Sequence, residues 1–417
     1  MDYDSDAIVI GAGLAGLTCA RELIRAGYVV SVVEASDAIG GRIRTDEVDG
    51  LLLDRGFQLI NPAYPEVQRA LDVEALALRS FTPGAQVLTE SGSFVIADPR
   101  RGGSLFGALR ANVGSKFAKS RFAAYALGCA VASPHGLSQR PDVSAFEALR
   151  SAGVSTELIE KFIRPFLAGV FLEESLATSR RFMDLVLRSF VRGTPSIPAR
   201  GMQSIPLQIA EGIPRESISL GVRALSIDQH TVHLTSGRHR ARAIIVAVDA
   251  PGVAMLVPDL PVPQARAVTT WYHLAHVPPQ SLTRGKPILV LDGRTARGPL
   301  TNSVVLSHAA PSYASHGRVL VSSSAVGLHG NVKHGDILGH LSELYATNTA
   351  GWDLVGTYEI PFALPAQDPP FSRRLPVDLG GGIFVAGDHR DTASIQGAMV
   401  SGRRVAESVT THLGGLT

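Results

Sequence analysis

Three glycines near the start of the chain, Gly11, Gly13 and Gly16, have the G-x-G-x-x-G spacing that suits phosphate binding. The first glycine lets the backbone turn sharply, the second leaves room for a pyrophosphate, and the third allows a helix to pack closely on a sheet. Glu34 follows at about 20 residues' distance, where a carboxylate accepts hydrogen bonds from ribose hydroxyls. These residue types at this spacing predict a site for an adenine dinucleotide.

The elements that must hold these residues in place are also visible in the sequence. Ala7–Ile10 is a short apolar run that predicts a strand before the glycine turn. Leu17 and Ala20 recur at helical spacing after it, and Gly27 ends the predicted helix. Tyr28–Val33 is rich in β-branched and aromatic residues and predicts the second strand. The glycine turn therefore lies between a strand and a helix, where its N–H groups and the helix dipole favour an anion.

Two further glycine-containing segments follow within the first 60 residues. Gly41 and Arg42 belong to a second glycine turn, and an arginine there can pair with a pyrophosphate through two hydrogen bonds. The alternative is an ordinary surface arginine. Gly56, followed by Phe57, allows the backbone to approach a flat ring.

The end of the chain carries a second group of candidate ligands. The segment 382–388 predicts a strand that ends at Asp388, whose carboxylate can bind a ribityl or ribose hydroxyl. A helix begins near Ile395–Ala398, and its N-terminus can face an electron-rich ring edge. His389 and Arg390 directly follow the strand, so they are candidates for a base or for stabilising a reduced ring. The alternative is that they belong to a loop that caps or binds the cofactor.

Composition limits the class of protein. A chain of 417 residues with 45% hydrophobic and 18% charged residues predicts a globular protein of two domains. The net charge of +2 and the scattered signs give no indication of nucleic-acid binding. Cys19 and Cys129 have no disulfide or metal spacing, and no metal site is predicted. The acidic start and the lack of a long apolar run make a soluble, cytoplasmic protein the expectation.

The middle of the chain predicts the remaining elements. Residues 64–80 look helical, residues 81–98 look like a β-hairpin, and residues 104–192 are mostly helical with breaks at Pro134, Pro141 and Pro165. Short strands within 218–248 predict a β-meander, and strands within 262–365 predict the sheet of a second domain. Five prolines within 361–376 predict a linker or a rigid wall.

One stretch of the helical region allows two interpretations. Apolar residues alternate there with basic ones, namely Leu105, Leu109, Phe117 and Phe122 with Arg110, Lys116, Lys119 and Arg121. This pattern is typical of a basic amphipathic helix that lies on a membrane surface. A helix that lines a pocket is the favoured interpretation, because Gly107 and Gly114 dilute the apolar face.

Taken in order, these motifs carry a resemblance to a known superfamily. GAGLAG with Glu34, then GGR, VRAL, FVAGD and SIQGA, resemble the FAD-dependent superfamily of flavin amine oxidases, protoporphyrinogen oxidases and phytoene-type desaturases. The specific segments are about 1–60, 199–252 and 380–412. The resemblance implies an α/β fold with a glutathione-reductase-like (Rossmann-type) FAD-binding domain, assembled from discontinuous segments, and an inserted α+β substrate domain. The implied boundaries are 1–80, 196–261 and 377–417 for the FAD-binding domain, and 81–195 and 262–376 for the substrate domain.

The resemblance also implies the cofactor and its ligands. The pyrophosphate would contact the first glycine turn and Arg42, Glu34 would hold the adenosine ribose, and Val222 would contact the adenine through its backbone. FAD is expected to be non-covalent, because neither cysteine lies in the C-terminal motif. The complete set of predicted cofactor-binding residues is Gly11, Gly13, Leu14, Ala15, Glu34, Ala35, Gly41, Arg42, Gly56, Phe57, Val222, Gly387, Asp388, Gln396 and Ala398.

Catalytic residues are less clearly indicated. Amine oxidases of the superfamily use a lysine near the flavin N5 and an aromatic cage. Lys286 is the candidate lysine, although its position beside a glycine before a strand is more typical of a surface residue. The sequence indicates no aromatic cage. His389, Arg390 and Lys286 are therefore the candidate catalytic residues.

The leading hypothesis is an FAD-dependent oxidoreductase that oxidises or desaturates an apolar cyclic or polyene-like small molecule by hydride transfer to the flavin N5. A second nucleotide-binding motif is not found, so oxygen, a quinone or another carrier is the expected electron acceptor. An amine oxidase that releases hydrogen peroxide is the first alternative, and a flavoprotein with a non-redox use of FAD is the second. The sequence predicts no nucleic-acid partner, allows a peripheral membrane contact, and leaves the oligomeric state open.

Overall fold

The glycine turn joins the first strand to the first helix, as the sequence predicts, in a computed structural model that describes residues 3–98, 101 and 113–415. Eighteen strands are found in these residues. Their bounds are β1 Ser5–Ile10, β2 Val30–Glu34, β3 Thr45–Val48, β4 Leu51–Asp54, β5 Arg79–Ser80, β6 Gly84–Thr89, β7 Gly92–Ala97, β8 Ser196–Ile197, β9 Ile218–Leu220, β10 Ala224–Asp228, β11 Thr231–Leu234, β12 Gly237–Val246, β13 Ala265–Ala275, β14 Leu289–Asp292, β15 Asn302–Val305, β16 Val319–Val326, β17 Asp353–Pro365 and β18 Ile383–Val385.

The helices of the same residues vary from one turn to more than five. Their bounds are α1 Leu14–Arg25, α2 Pro65–Ala70, α3 Lys116–Val131, α4 Pro134–Ser138, α5 Ala145–Ser151, α6 Thr156–Leu158, α7 Arg164–Phe171, α8 Arg180–Arg192, α9 Ser204–Ala210, α10 Ala250–Leu256, α11 Leu306–Ala309, α12 His334–Tyr345 and α13 Ile395–Gly414, with a π-helical turn at Ile159–Ile163. Short 3-10 turns occur at Arg215–Ser217, Pro279–Ser281, Thr283–Gly285, Pro311–Tyr313, Ser315–Gly317 and Asp388–Arg390.

The first sheet is assembled from three separate parts of the chain. Strands β9, β2, β1, β12 and β18 lie side by side and are all parallel, and the antiparallel strands β10 and β11 extend from the first half of β12. Parallel strands are usually covered on both faces, and residues Ala7–Ile10 of β1 and Ala243–Val246 of β12 are accordingly apolar and buried. The α/β class and the discontinuous FAD-type domain predicted from the sequence are therefore confirmed.

Helix packing brings the two ends of the chain together. Helix α13 lies against α1, and Gly402 makes this possible, because a Cβ there would lie 2.2 Å from the Ala15 carbonyl oxygen. Gly16 has the packing role that the motif implies, since a Cβ at this residue would lie 2.0 Å from the Gly11 oxygen. The predicted motif and the C-terminal helix therefore share one densely packed unit.

The second sheet forms the base of the predicted substrate domain. Its seven strands lie in the order β17, β13, β16, β15, β14, β6 and β7, and all the pairings are antiparallel except β14 with β6. The hairpin predicted within 81–98 supplies β6 and β7. The domain boundaries themselves stay a prediction.

Three predicted elements differ in the structure. Residues 361–365 are not a linker but the end of β17, an edge strand, where a proline's missing N–H costs no ladder hydrogen bond. Within 64–80 only Pro65–Ala70 is helical. Pro165 does not break the helical region, because it occupies the first turn of α7, where its N–H is not needed. Leu105, Leu109 and Arg110 lie outside the described residues.

Candidate active site

All of the predicted cofactor-binding residues line one cavity. The cavity has a volume of 1070 Å³ and extends from the glycine turn to the substrate-domain sheet. Its cofactor end contains the complete predicted set, namely Gly11, Gly13, Leu14, Ala15, Glu34, Ala35, Gly41, Arg42, Gly56, Phe57, Val222, Gly387, Asp388, Gln396 and Ala398. A cavity of this volume has room for a dinucleotide and for part of a second molecule.

The N-terminus of α1 faces this cavity without any side chain in the way. Gly13 caps the helix with no side-chain hydrogen bond, and the first turn contains no acidic residue. A Cβ added to Gly13 would meet no atom within 4 Å, so it would project into open space in the cavity. The backbone N–H groups and the positive end of the helix dipole are therefore available to an anion such as a pyrophosphate.

Glu34 is held rigidly at the end of β2. Its Oε2 accepts a hydrogen bond of 2.7 Å from the Ala12 N–H, and its Oε1 accepts hydrogen bonds of 2.9 and 2.8 Å from the N–H and hydroxyl of Ser36. Val222 lies beside it, and its N–H donates to the Glu34 carbonyl oxygen. A backbone contact from Val222 to an adenine would therefore use its carbonyl oxygen. The carboxylate is oriented to receive ribose hydroxyls.

Arg42 and Asp388, which are far apart in sequence, form an ion pair across the cavity. The Arg42 guanidinium donates to the Asp388 carboxylate at 2.7 Å and to the Ala363 carbonyl oxygen at 2.7 Å. Asp388 is nearly buried, whereas the Arg42 side chain is one-third exposed. One cationic and one anionic group thus lie side by side, which suits a ligand with a phosphate next to hydroxyl groups.

The segment Gly56–Gln58 forms another wall of the cofactor end. Gly56 has a φ of 92°, and a Cβ there would lie 2.8 Å from the Ile360 Cδ1, so this position requires glycine. The Gln58 amide donates to the carbonyl oxygens of Arg42 and Arg55 at 2.7 and 3.1 Å. Its Oε1 is buried and has no partner among the described residues. Because this oxygen is sealed inside the wall, Gln58 holds the two backbone segments together and is not available to a ligand.

The C-terminal helix completes the cofactor end. Ser394 caps α13 by accepting a hydrogen bond from the Gly397 N–H. Gln396 and Ala398 line the cavity, and the Gln396 Oε1 also accepts a hydrogen bond of 2.9 Å from the Glu66 N–H at the start of α2. The glycine cradle, the free helix N-terminus, the ribose acceptor and the Arg42–Asp388 pair together fit FAD.

None of the three candidate catalytic residues lines the cavity. Lys286 is exposed on the surface. His389 is buried and packs against Gly387, and burial lowers its pKa to about 4, so it is neutral at pH 7. Arg390 donates to the Pro376 carbonyl oxygen and ties the preceding segment to the cofactor loop. The prediction that they act at the cofactor is not supported by these positions, because the chain turns after Asp388 and directs the next two side chains away from the cavity.

The other end of the cavity is strongly apolar, which the sequence did not reveal. Phe162 and Phe166 stack with centroids 6.1 Å apart, and Phe166 and Phe190 lie 5.4 Å apart. The sequence contained one signal of this apolar surface, because Phe182, Val186 and Phe190 follow one another at intervals of four residues on α8. Spacing alone does not separate a core face from a cavity face. Among the described residues, seven phenylalanines line the cavity, namely Phe57, Phe81, Phe122, Phe162, Phe166, Phe182 and Phe190.

Other chemical groups are absent from this lining. Within the described part of the chain, no lysine, histidine, cysteine or tryptophan lines the cavity, and Tyr64 is its one tyrosine. In those same residues no group of three or more potential ligand side chains could hold a metal ion. None of the helices in residues 3–98, 101 and 113–415 combines the length and the hydropathy needed to cross a lipid bilayer.

Solved structures with this fold include several oxidoreductases. A putative protoporphyrinogen oxidase from Exiguobacterium sp. 255-15 has a TM-score of 0.75 and 18% identity, and the match covers 99% of this chain and 100% of that one. Cyclohexylamine oxidase from Brevibacterium oxydans IH-35A has a TM-score of 0.73 and 16% identity, with coverage of 99% and 100%. At these identities the likeness shows the fold alone.

Sequence relatives are more similar but over short stretches. Putrescine oxidase from Kocuria rosea is 45% identical over 69 residues, which is 16% of this chain and 14% of that protein. The first relatives therefore match over only about one-seventh of their own length. The profile of the family described as flavin containing amine oxidoreductase matches residues 14–410 of this chain. Because that match spans nearly the whole sequence, the chain belongs to the flavin-containing amine oxidoreductase family, whose cofactor is FAD.

Proposed function

We propose that this chain is an FAD-dependent oxidoreductase that oxidises or desaturates an apolar cyclic or polyene-like small molecule. When bound, FAD supplies the acceptor for a hydride from the substrate. The chain's own contribution is to bind both molecules in one cavity and to exclude water from the reacting bond. Oxygen, a quinone or another carrier takes the electrons afterwards.

The observation that carries this proposal is the aromatic lining of the cavity. An apolar ring or polyene replaces water against phenylalanine side chains at little cost, whereas a charged amine packed among these rings would lose part of its hydration. Phe57 lies at the junction of the two ends, so a substrate bound among the phenylalanines is next to the cofactor. The protein is not required to supply a nucleophile, which agrees with the absence of lysine and histidine from the described lining.

In this proposal each cofactor contact has a physical reason. The free N-terminus of α1 binds the pyrophosphate, together with Arg42. Glu34 accepts the ribose hydroxyls, and Asp388 accepts the ribitol hydroxyls. The flavin is held without a covalent bond, because Cys19 and Cys129 are buried and do not line the cavity. Acid precipitation should therefore release the yellow colour into the supernatant.

An amine oxidase is the second candidate. The sequence relative named putrescine oxidase favours it. It requires that an amine reduce the flavin and that peroxide form in air.

Use of FAD without net redox chemistry is the third candidate, and it requires that no substrate reduce the flavin. Anaerobic reduction of the bound flavin by candidate substrates separates the three.

The proposal includes a contact between the rim of the cavity and an anionic lipid surface. Helix α3 contains Lys116, Lys119 and Arg121 but no acidic residue. Phe117 and Val131 on this helix are 71% and 85% exposed. Other residues of α3, Phe122 and Ala126, line the cavity. An apolar substrate would then enter the cavity directly from the lipid.

Vesicle sedimentation tests this contact. We expect the protein to sediment with phosphatidylcholine vesicles that contain phosphatidylglycerol, and the double variant Phe117→Ser/Val131→Ser to bind about tenfold less, because it loses two apolar anchors. The double variant Val29→Ser/Leu225→Ser is the matched control, since these residues are 63% and 57% exposed and lie far from α3 in the fold, Val29 just before β2 and Leu225 in β10 of the first sheet. Equal binding by both double variants would refute the contact.

A further inference from the structure

One polar side chain in the apolar end of the cavity has no evident structural role. Asn302 is the first residue of β15, in the middle of the substrate-domain sheet, and it is 6% exposed. Its side chain lines the cavity, as does that of Val304 two residues further on. Residues with this spacing on a strand share one face of the sheet, so the amide and Val304 both face the cavity.

The neighbouring polar side chains have partners, whereas the Asn302 amide has none. The Ser303 hydroxyl bonds to Ser323 and Tyr345 on the opposite face of the sheet, and the Ser324 hydroxyl bonds to Thr270 at 2.9 Å. Among the described residues, no hydrogen bond is made by the Asn302 side chain. The Asn302 amide is not one of the side-chain groups sealed in the protein without a partner, so it reaches the cavity, where a ligand can supply the partner.

The surroundings leave space for this amide, and the polar side chain directly opposite it, Ser324, is already paired with Thr270. A Cβ added to Gly169 on α7 would lie 2.4 Å from the Asn302 Nδ2, so only glycine leaves room for the side chain there. Phe166 and Val170, which flank Gly169 on the same helix, line the cavity as well. The amide therefore stands in an apolar pocket that the backbone has been shaped to accommodate.

We infer that Asn302 binds the substrate through one neutral hydrogen-bonding group, such as a hydroxyl or a carbonyl, on an otherwise apolar ring or polyene. An amide both donates and accepts, so it binds either group, and its neutrality makes it a poor partner for a charged one. This inference rests on the proposed function, since it takes the apolar end of the cavity as the substrate site. Asn302 acts here as a specificity residue and takes no part in the chemistry.

Two bicyclic probes that differ in a single hydroxyl test the inference on the FAD-loaded protein. We expect 2-naphthol to perturb the flavin absorbance with a dissociation constant about tenfold lower than that of naphthalene, which corresponds to one additional neutral hydrogen bond. Asn302→Leu, which has a similar volume, should reduce this ratio to about one while naphthalene binds at least as tightly. Ser324→Ala is the control, because the Ser324 hydroxyl is already paired, and it should keep the ratio.

Thermal unfolding of the same variants separates binding from a structural role. Removal of an unpaired buried amide should leave the melting temperature of Asn302→Leu unchanged or higher. The inference would be overturned by any of three results. The ratio of the two dissociation constants could be unchanged in Asn302→Leu, the melting temperature of this variant could fall clearly, or neither probe could bind. Failure of the proposed function would appear differently, as a flavin that no candidate substrate reduces while the probe ratio still depends on Asn302.

Discussion

Substitution of Gly13 by glutamate is expected to give a folded protein that no longer binds FAD. Gly13 has ordinary dihedral angles, with φ −76° and ψ 178°, and a Cβ there meets no atom within 4 Å. The new side chain therefore causes no strain, but it fills the space in front of the α1 N-terminus with a negative charge. Because that charge competes with the pyrophosphate for the same N–H groups, we expect FAD to bind at least about 100-fold more weakly.

Gly335→Glu is the matched control for this variant. Gly335 is the second residue of α12, its Cβ position also meets no atom within 4 Å, and it does not line the cavity. A glutamate there should leave the flavin content and the dissociation constant of FAD unchanged. Both variants should unfold within a few degrees of the wild-type apoprotein. Normal flavin content in Gly13→Glu would place the pyrophosphate elsewhere and contradict the assignment of the α1 N-terminus.

The second large effect is expected at Asp54, which joins three separate segments beneath the cofactor. Its buried carboxylate accepts hydrogen bonds from the Thr45 hydroxyl at 2.5 Å, the Met202 N–H at 2.9 Å and the Tyr313 hydroxyl at 2.8 Å. Asp54→Ala leaves these three donors without their acceptor, and at about 1 kcal/mol each we expect the free energy of unfolding at about pH 4, where the folded carboxyl is protonated, to fall by about 3 kcal/mol. Chemical denaturation measures this. Asp46→Asn, at a more exposed ion pair with Arg55, should cost less than about 1 kcal/mol.

The pH dependence of Asp54 has a definite sign. Burial raises its pKa from 3.8 to about 6, although its three hydrogen bonds oppose the rise. A raised pKa means that the folded protein favours the protonated form. The contribution is therefore fully present below about pH 4 and is lost as the pH rises to about 6, a change of about 3 kcal/mol. Asp54→Asn stays neutral, so the difference between its unfolding free energy and that of the wild type should change over this range. A constant difference would contradict the raised pKa.

The lining of the cofactor end of the cavity was largely predictable from the sequence, because its residues come from short motifs whose local backbone decides where they lie. Gly11, Gly13 and Gly16 act through the turn that they form themselves, and Glu34 follows at the end of the next strand. Asp388 is likewise placed by the strand before it. In each case a few neighbouring residues determine where the group lies, so residue type and spacing were sufficient to predict its position.

The substrate end was not predictable in the same way. The face of α8 that carries Phe182 and Phe190 packs like a core face, and only the position of the sheet opposite it leaves a cavity between them. Asn302 is an unremarkable polar residue in sequence, and its isolation depends on Gly169 more than 130 residues earlier. His389 was misleading for the opposite reason, since its neighbour Asp388 faces the cavity while its own ring packs behind Gly387.

Pro361 shows how tertiary context changed a local expectation. Proline clusters usually indicate a linker, yet Pro361 belongs to the 13-residue strand β17. That strand lies at the edge of its sheet and pairs only with β13, so it can contain prolines that a central strand could not. The sequence did not indicate the place of this segment in a sheet, which depends on long-range pairing.

The central claim is tested most directly by adding candidate substrates to the purified protein without oxygen while the flavin band near roughly 450 nm is recorded. The proposed function predicts an oxidised flavin spectrum that is bleached by an apolar cyclic or polyene compound and not by simple amines. Bleaching by an amine, with peroxide formed on return to air, would establish the amine oxidase instead. A protein that stays colourless after FAD is added would contradict the account as a whole.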